Sequence, residues 1–517
     1  MKKIFVVLSM ILCVQMLNAQ GKVNDVVDDD YVRNSVSMIV VNRGDSYDSR
    51  IFNIAGKLGF GEKFDVNAIP TDRILIRADR KKNVDTDLIT SSLEREGVGK
   101  EIISYWFQRD ASGRMSDELI LKRGMYSVRD QEILNSQVSK VGISALGEKG
   151  YDLVKGSFVY VLDYYNLVEN VKDKNYSAEV MASIYQLDCS EEAMEQFYET
   201  WIYDEDTPEE VARKKELFDS LSFPLVYVTA VEASGSSSTS LTEAVNTAFS
   251  NAFYRSEKAV DDWNVTSSII STRPIKAKIG TKEGVTNGQR FQVHKIVEDR
   301  HGNLDSKSVG YVRATEVANN SNVATGDTEP SCFYQISGLK IEEGMILKQK
   351  NDLKMGVTVA GGFGGYSPFE IGLEFLSHIN TKGTSRYVML DVGIGGDSYN
   401  DLSVSYIVPA IGMGIAVRPI RPVEIMPFIQ IGMDILSTVS IANIDYKLTD
   451  WSSYVGRVGA RASWQVVYPI QIFAQAEAAV NFGAGSYYAF YNDIMLAVGK
   501  GHEQAVAGFS FGVKVNF

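Results

Sequence analysis

Chemistry in this 517-residue chain would have to come from few side chains, since it holds four histidines and three cysteines. The histidines are His294, His301, His378 and His502, and the cysteines Cys13, Cys189 and Cys332. A nucleophilic hydrolase needs a serine or cysteine beside a base, and a zinc site needs closely spaced His/Cys ligands. No His-Glu-x-x-His or Cys-x-x-Cys occurs, and the Gly-x-Ser-x-Gly match, Gly508-Phe509-Ser510-Phe511-Gly512, falls inside an alternating strand and not on a strand-to-helix turn. The glycines around Ile279-Gly280 and Gly284-Val285-Thr286-Asn287-Gly288 lack the spacing of a phosphate loop and read as turns. The acid pairs Asp261-Asp262 and Glu342-Glu343 read as solvated charges, as do Asp28-Asp29-Asp30, which lack the spacing of a calcium loop. The expectation is no enzyme, no metal and no cofactor.

The formal charge is -13, with no basic tract, which argues against nucleic acid as a partner. Lys2 and Lys3 precede the apolar run Ile4 to Leu12, and Leu17-Asn18-Ala19 offers a small residue for cleavage. Residues 1–19 are therefore expected to be an export signal that is removed. Leu12 before Cys13 lacks the small side chain of a lipid-attachment site. The remaining Cys189 and Cys332 can pair in an oxidising compartment or stay as two thiols; spacing leaves both open. No apolar stretch of about 18 residues exists to span a membrane as a helix, so any spanning falls to strands.

The elements that would position these groups fall into regions. Residues 20–35 form a polar leader. Residues 36–272 mix strands and helices, predicting an α+β region, in one domain or two lobes meeting near Asp173. Its signals include the runs Met38 to Val41, Ile74 to Ile76 and Phe158 to Leu162, and a helix over Ser127 to Leu146 closed by Gly147. A further helix starts at Thr207-Pro208-Glu209-Glu210, where a cap, an N1 proline and an N3 glutamate coincide. Phe223 to Val231 reads as a strand, and Ser240-Leu241-Thr242-Glu243 caps a helix whose apolar face is Val245, Ala248, Phe249, Ala252 and Phe253. Residues 273–350 repeat glycine turns followed by short strands, which predicts a small β-barrel or β-roll. This part resembles SH3-like or flagellar-assembly-type C-terminal β modules.

From 353 to 517 the pattern changes to eight alternating strands. In the last, Ala505, Ala507, Phe509, Phe511, Val513, Val515 and Phe517 alternate with mainly polar or small residues, as expected where one face meets lipid and the other a polar lumen. The predicted lumen side carries Glu370, Glu374, Asp391, Glu424, Asp434 and Glu477 against Lys354, Arg457, Arg461 and Lys514. Eight strands leave room only for side chains, so these charges are expected to pair across a filled interior. The fourth strand, Ser403 to Arg418, is apolar on both faces and its phase is ambiguous. Links near Asn380, Arg421 and Pro469 read as short turns, and those over Gly396 to Leu402, Ser437 to Ser452 and Gly483 to His502 as longer loops.

The strand alternation, the turn prolines and the terminal Val513-Lys514-Val515-Asn516-Phe517 resemble OmpA/OmpX-type eight-stranded outer-membrane barrels. The resemblance covers the last third of the chain. It implies location in an outer membrane, contact with its lipid, a periplasmic N-terminal region, and recognition of Phe517, Val515 and Val513 by the barrel-insertion machinery. It departs from that class in placing the soluble part before the barrel and in lacking a wall-binding motif. The function expected is anchorage of a periplasmic binding or scaffolding domain, with an unidentified periplasmic protein or cell-wall partner. The alternatives are a small lipid-modifying barrel enzyme, for which His502 and Ser486 stand in the external loop zone, and a narrow channel. The same loop carries Tyr488, Phe490 and Tyr491, which either join an interfacial aromatic girdle or form a surface contact.

Overall fold

The structure, a computed structural model, describes residues 33–116, 118–120, 154–188, 191–298, 304–321, 329–364, 368–399, 402–441, 444–446, 452–482 and 505–517. The expected export signal, most of the polar leader, the helix over Ser127 to Leu146, Cys189, His301, Ser486, His502 and the loop residues Tyr488, Phe490 and Tyr491 lie outside these.

The first unit is built on one five-stranded sheet, ordered β2-β1-β3-β4-β5. Its strands are β1 (Ser35–Val40), β2 (Asp65–Val66), β3 (Ser157–Asn170), β4 (Asn175–Leu187) and β5 (Leu225–Ser237). β1 pairs in parallel with β2 and β3, whereas β3, β4 and β5 are antiparallel. Both faces are covered by helices, which is why every residue of β1 and of the start of β3 is buried, with apolar side chains on both faces. Val36, Met38, Tyr160 and Leu162 face α1 (Asp48–Ala55) and α6 (Leu241–Ala259). Ile39, Val159 and Val161 face the opposite core, shared with α2 (Thr86–Arg95), α3 (Val98–Trp106), α4 (Glu191–Tyr198) and α5 (Pro208–Ser220). The sheet settles the question of two lobes. Asp173 lies in the tight turn between β3 and β4, with Asn170 opposite Asn175, so no boundary falls there.

Local signals act as expected at two helices. Thr207 and Glu210 form both halves of a capping box at the start of α5, and Ser240 accepts from the Glu243 amide at the start of α6. Leu75 makes only a single bridge to Asn42, so the expected strand over Ile74 to Ile76 does not form. At Gly235 a Cβ would stand 2.1 Å from the Ala244 carbonyl oxygen, so the absence of a side chain lets α6 lie directly on β5.

The second unit is a closed six-stranded barrel, ordered β10-β7-β6-β11-β8-β9. Its strands are β6 (Thr266–Thr272), β7 (Ile275–Ala277), β8 (Arg290–Glu298), β9 (Leu304–Glu316), β10 (Ser331–Gly338) and β11 (Ile346–Gln349). β6 was expected to end the preceding region. It belongs instead to this barrel, pairing with β7 and β11, because only with it does the short sheet close. Phe291, Val293, Val312, Phe333 and Leu347 fill the interior.

The third unit is a closed antiparallel barrel of eight long strands: β12 (Met355–Gly364), β13 (Phe369–Ile379), β14 (Ser385–Tyr399), β15 (Leu402–Ile420), β16 (Val423–Ile441), β18 (Ser452–Val467), β19 (Ile470–Phe482) and β20 (Ala505–Asn516). A short β17 (Ile444–Tyr446) extends the β16 hairpin. β20 pairs with β12, and β15 with β16, which closes the ring. The link expected over Gly396 to Leu402 is mostly strand, since Tyr399 pairs with Leu402. The phase of β15 resolves with Tyr406, Val408, Ala410 and Ala416 buried inside and Ile407, Ile411, Met413, Ile415 and Val417 exposed outside.

Candidate functional site

The lumen of the eight-stranded barrel holds the densest charge in the described residues. Alternation along each strand sends one set of side chains inward, and Glu370, Glu374, Asp391, Glu424, Asp434, Arg457, Arg461 and Lys514 are all nearly or fully buried. They form linked groups rather than isolated pairs. Arg457 Nη2 donates to Glu370 Oε2 and to Glu477 Oε2, both at 2.7 Å. Glu374 accepts from Lys514 Nζ at 2.6 Å and from Arg461 Nη1. Arg461 Nε donates to Gln475 at 2.9 Å and Gln475 Nε2 donates to Glu477 at 3.1 Å, so one glutamine joins the two groups. Gln430 donates to Asp391. These bonds offset much of the cost of burying the charges, with Arg457 Nε and Nη1 and Asp391 Oδ1 left without a hydrogen-bond partner among the described residues.

The rest of the lumen is filled with apolar side chains. Leu376, Tyr387, Met389, Met426 and Phe428 pack as one cluster. The Arg461 guanidinium lies 4.3 Å from the Phe473 ring centroid, and Lys514 Nζ 4.3 Å from that of Tyr387. A Cβ at Gly512 would sit 2.4 Å from the Phe473 ring, so this glycine makes the space the ring occupies.

One predicted assignment changes, and one lumen charge was not predicted. Lys354 is not a lumen charge. It precedes β12, and its Nζ donates to Asn287 O at 2.5 Å and Thr286 Oγ1 at 3.1 Å, on the six-stranded barrel. Arg418 was missed, yet it pairs with Glu424 and also donates to Gly383 O at 3.1 Å. It lies in phase with the inward Tyr406, Val408, Ala410 and Ala416, so the parity of β15 would have found it had its phase been legible. Phe517 ends the sheet with its amide donating to Met355 O at 2.8 Å, and Val513 and Val515 pair with Val359 and Val357.

Lys354 belongs to a joint between the two barrels. Arg313 of β9 donates to Asp352 at 2.5 Å, with both side chains buried. Asn287 donates to Ile379 O at 2.7 Å and accepts from the Ile379 amide at 3.0 Å. Arg290 donates to the Tyr468 hydroxyl. Asp352, Ile379 and Tyr468 all lie at the end of the large barrel that carries the turns 380–384, 421–422 and 468–469. The six-stranded barrel thus sits on that mouth, and the space left between Arg313 and Ile336 on one side and Glu374, Tyr387 and Arg418 on the other is about 20 Å³, room for roughly one water.

Sequence reasoning also missed a charged cluster in the sheet domain. Arg43 meets Asp163 through Nε at 2.9 Å and Nη2 at 2.7 Å, with both side chains wholly buried. Arg80 donates to Asp45 at 2.5 Å, to Asp48, and to Tyr164 O at 2.7 Å. The cluster pins the segments after β1 and before α2 to β3. Single charged residues in loops carry no sequence pattern that announces such pairing.

Of the histidines, His378 is exposed at the rim and His294 half-buried in β8. His294 Nδ1 lies 2.9 Å from Ser306 Oγ, and burial, helped by Lys350 and Lys348, pushes its pKa down to about 4. His294 thus stands beside a serine hydroxyl, but among the described residues its Nε2 has no hydrogen-bond partner, so the third group that would orient the ring of a catalytic base is missing. Cys332 is a buried free thiol. Glu342 pairs with Lys295 at 3.3 Å. No group of three or more His, Cys, Asp or Glu able to hold a metal occurs among the described residues.

No protein family and no curated protein matches the chain. Solved structures similar to it include a major outer membrane protein from Thermus thermophilus, at 13% identity over 32% of this chain and 98% of that one, with a TM-score of 0.23. Ail, the attachment invasion locus protein of Yersinia pestis, aligns at 10% identity over 32% of this chain and 93% of that one, with a TM-score of 0.19. OmpT, an outer membrane protein of Vibrio cholerae, aligns at 8% identity over 70% of this chain and 95% of that one, with a TM-score of 0.15.

Proposed function

We propose that the chain is an integral outer-membrane protein whose barrel anchors a periplasmic domain that binds or holds a partner, without catalysis of its own. The observation that carries this reading is the wall of the eight-stranded barrel. Ile411, Met413, Ile429, Ile431, Val458, Phe509 and Phe511 are each more than half exposed on it. A soluble protein would not leave so extensive an apolar belt facing water, whereas lipid is a good solvent for it. The charges that a soluble β protein would present outward are here turned inward, and most of them form ion pairs.

Short turns mark the periplasmic side of outer-membrane barrels. The six-stranded barrel is joined to that side, so the reading puts it and the sheet domain in the periplasm. The joint favours a scaffold over a loosely tethered module, because several part-buried hydrogen bonds fix one barrel on the other. The filled lumen and covered mouth favour an anchor over a channel. On this reading the partners are outer-membrane lipid, the insertion machinery acting on Phe517, and a periplasmic protein or cell-wall component.

The test is fractionation of cells expressing the full chain. Resistance to carbonate and high salt, with a gel mobility that changes on heating, is the expected result. Recovery in the soluble fraction would overturn the proposal, and discrete conductance in planar bilayers would replace the anchor by a channel.

A further inference from the structure

The turns joining β13 to β14 and β15 to β16 stand side by side at one end of the large barrel, since Arg418 donates to Gly383 O at 3.1 Å. Their outer surface is positive in a chain whose net charge is -13. His378, Lys382, Arg386 and Arg421 are all exposed there, with His378 opposite Arg386 in the β13–β14 ladder. None of the four forms an ion pair among the described residues. From Leu376 to Leu390 and from Ile415 to Phe428 the sole carboxylate is Glu424, which is turned into the lumen and paired with Arg418. Trp464, exposed on the neighbouring β18, lies opposite Val423, and outward aromatic residues mark the interface level of outer-membrane barrels.

One outward step along β14 from Arg386, about 7 Å, Val388 begins an apolar groove of about 660 Å³ on the barrel wall. Val388, Met413, Ile429 and Val458 line it as register partners across β14, β15, β16 and β18, and Ile431 and Phe482 extend it. Barrel strands tilt by about 35–45°, so a hydrocarbon chain along the membrane normal crosses from strand to strand, as this groove does.

We propose that Lys382, Arg386 and Arg421 hold the phosphate of an anionic phospholipid, in the leaflet next to the six-stranded barrel, with an acyl chain in the groove. Two features select this occupant. The cations face away from the lumen, where the neighbours of a spanning barrel are headgroups, and they add to affinity for an anionic surface residue by residue. The apolar groove starts one step from Arg386, as the chains of a phospholipid start next to its phosphate. A free phosphate would use only the first feature and an uncharged apolar ligand only the second. The inference rests on the outer-membrane reading and adds to it a headgroup preference at a named site.

The experiment titrates the full chain, in a non-ionic detergent, with phosphatidylglycerol or phosphatidylcholine of the same chains, and counts bound lipid by native mass spectrometry. The expected result is a tightly held phosphatidylglycerol, preferred on the order of ten-fold. The triple variant Lys382→Gln/Arg386→Gln/Arg421→Gln should lose the preference, whereas Arg386→Lys/Arg421→Lys should keep it. Val388→Trp, which fills the start of the groove, should weaken both lipids alike. Heat-dependent mobility shows that each variant is folded. Equal affinity for the two lipids, a preference that survives the glutamines, or displacement of the lipid by millimolar inorganic phosphate would each overturn the inference. In those cases a carbonate-resistant chain leaves the outer-membrane reading standing, whereas recovery of the chain in the soluble fraction would take both down.

Discussion

Tyr468, in the turn between β18 and β19, lies against Tyr311 of β9 with ring centroids 4.3 Å apart and planes 26° from parallel. Arg290 approaches the same Tyr468 ring at 4.7 Å and donates to its hydroxyl. One turn residue of the large barrel is therefore held by two residues of the small one. Aromatic pairs of this kind contribute about 0.5–1.5 kcal/mol beyond their buried area. Tyr468→Ala should loosen the joint and speed proteolysis near residues 350–354 several-fold, while the large barrel keeps its heat-dependent mobility. Unchanged cleavage would mean that Arg313–Asp352 and Asn287–Ile379 suffice without it.

Glu374 carries two cations in the lumen, Arg461 and Lys514, and among the described residues no other carboxylate bonds to either. Glu374→Ala should destabilise the barrel by about 3–5 kcal/mol, since both charges remain buried without their partner. Glu374→Gln keeps an acceptor and should cost clearly less. Urea unfolding of the barrel in detergent, followed by fluorescence of the wall residue Trp464, measures the difference, and equal losses would show that shape rather than charge matters there.

In the sheet domain the wholly buried Arg43–Asp163 pair makes a parallel forecast. Asp163→Ala should destabilise this domain by about 3–5 kcal/mol, because it leaves the buried Arg43 charge with only the Asp79 and Lys82 carbonyls and also removes the acceptor for the Val84 amide, now at 2.6 Å. Chemical denaturation should show an earlier first transition with the barrel transition unmoved. A shift in both would imply that the units unfold as one.

His294 predicts a pH dependence for the small barrel. Its pKa in the folded chain is about 4, mainly through burial, against about 6.5 when unfolded. The unfolded state therefore binds the proton first as pH falls. Stability is full above about pH 6.5, declines between about 6.5 and 4, and changes no further from this group below about 4. Thermal unfolding across that window should show the loss in the wild type and a weaker slope in His294→Gln. An equal slope in both would assign the effect to other groups.

Gly235→Ala tests how closely α6 approaches β5. The added Cβ would stand 2.1 Å from a backbone oxygen and 2.4 Å from a backbone nitrogen, which no side-chain rotation relieves. A loss of about 1–3 kcal/mol is expected, read as a lower midpoint of the sheet domain. Wild-type stability would show that the helix can shift away freely.

The alternation of β12 to β20 was enough to place the barrel, because a strand's side-chain period is two and one face meets a different solvent from the other. The same rule marked Glu370, Glu374, Asp391, Glu424, Asp434, Arg457, Arg461, Glu477 and Lys514 as inward, and the caps at Thr207 and Ser240 announced their helices through local hydrogen bonding alone. Phase failed at β15, apolar on both faces, and with it Arg418 was lost. Lys354 was misplaced for a related reason: alternation was extended past the start of the strand, onto a residue whose partner Asn287 is 67 positions away. The pairing of Arg43 with Asp163, the inclusion of Thr266–Thr272 in the six-stranded barrel and the seating of that barrel on the lumen mouth depend on contacts between residues distant in the chain. Periodicity reports which way a side chain faces. What it faces is decided only when the separate units close and pack.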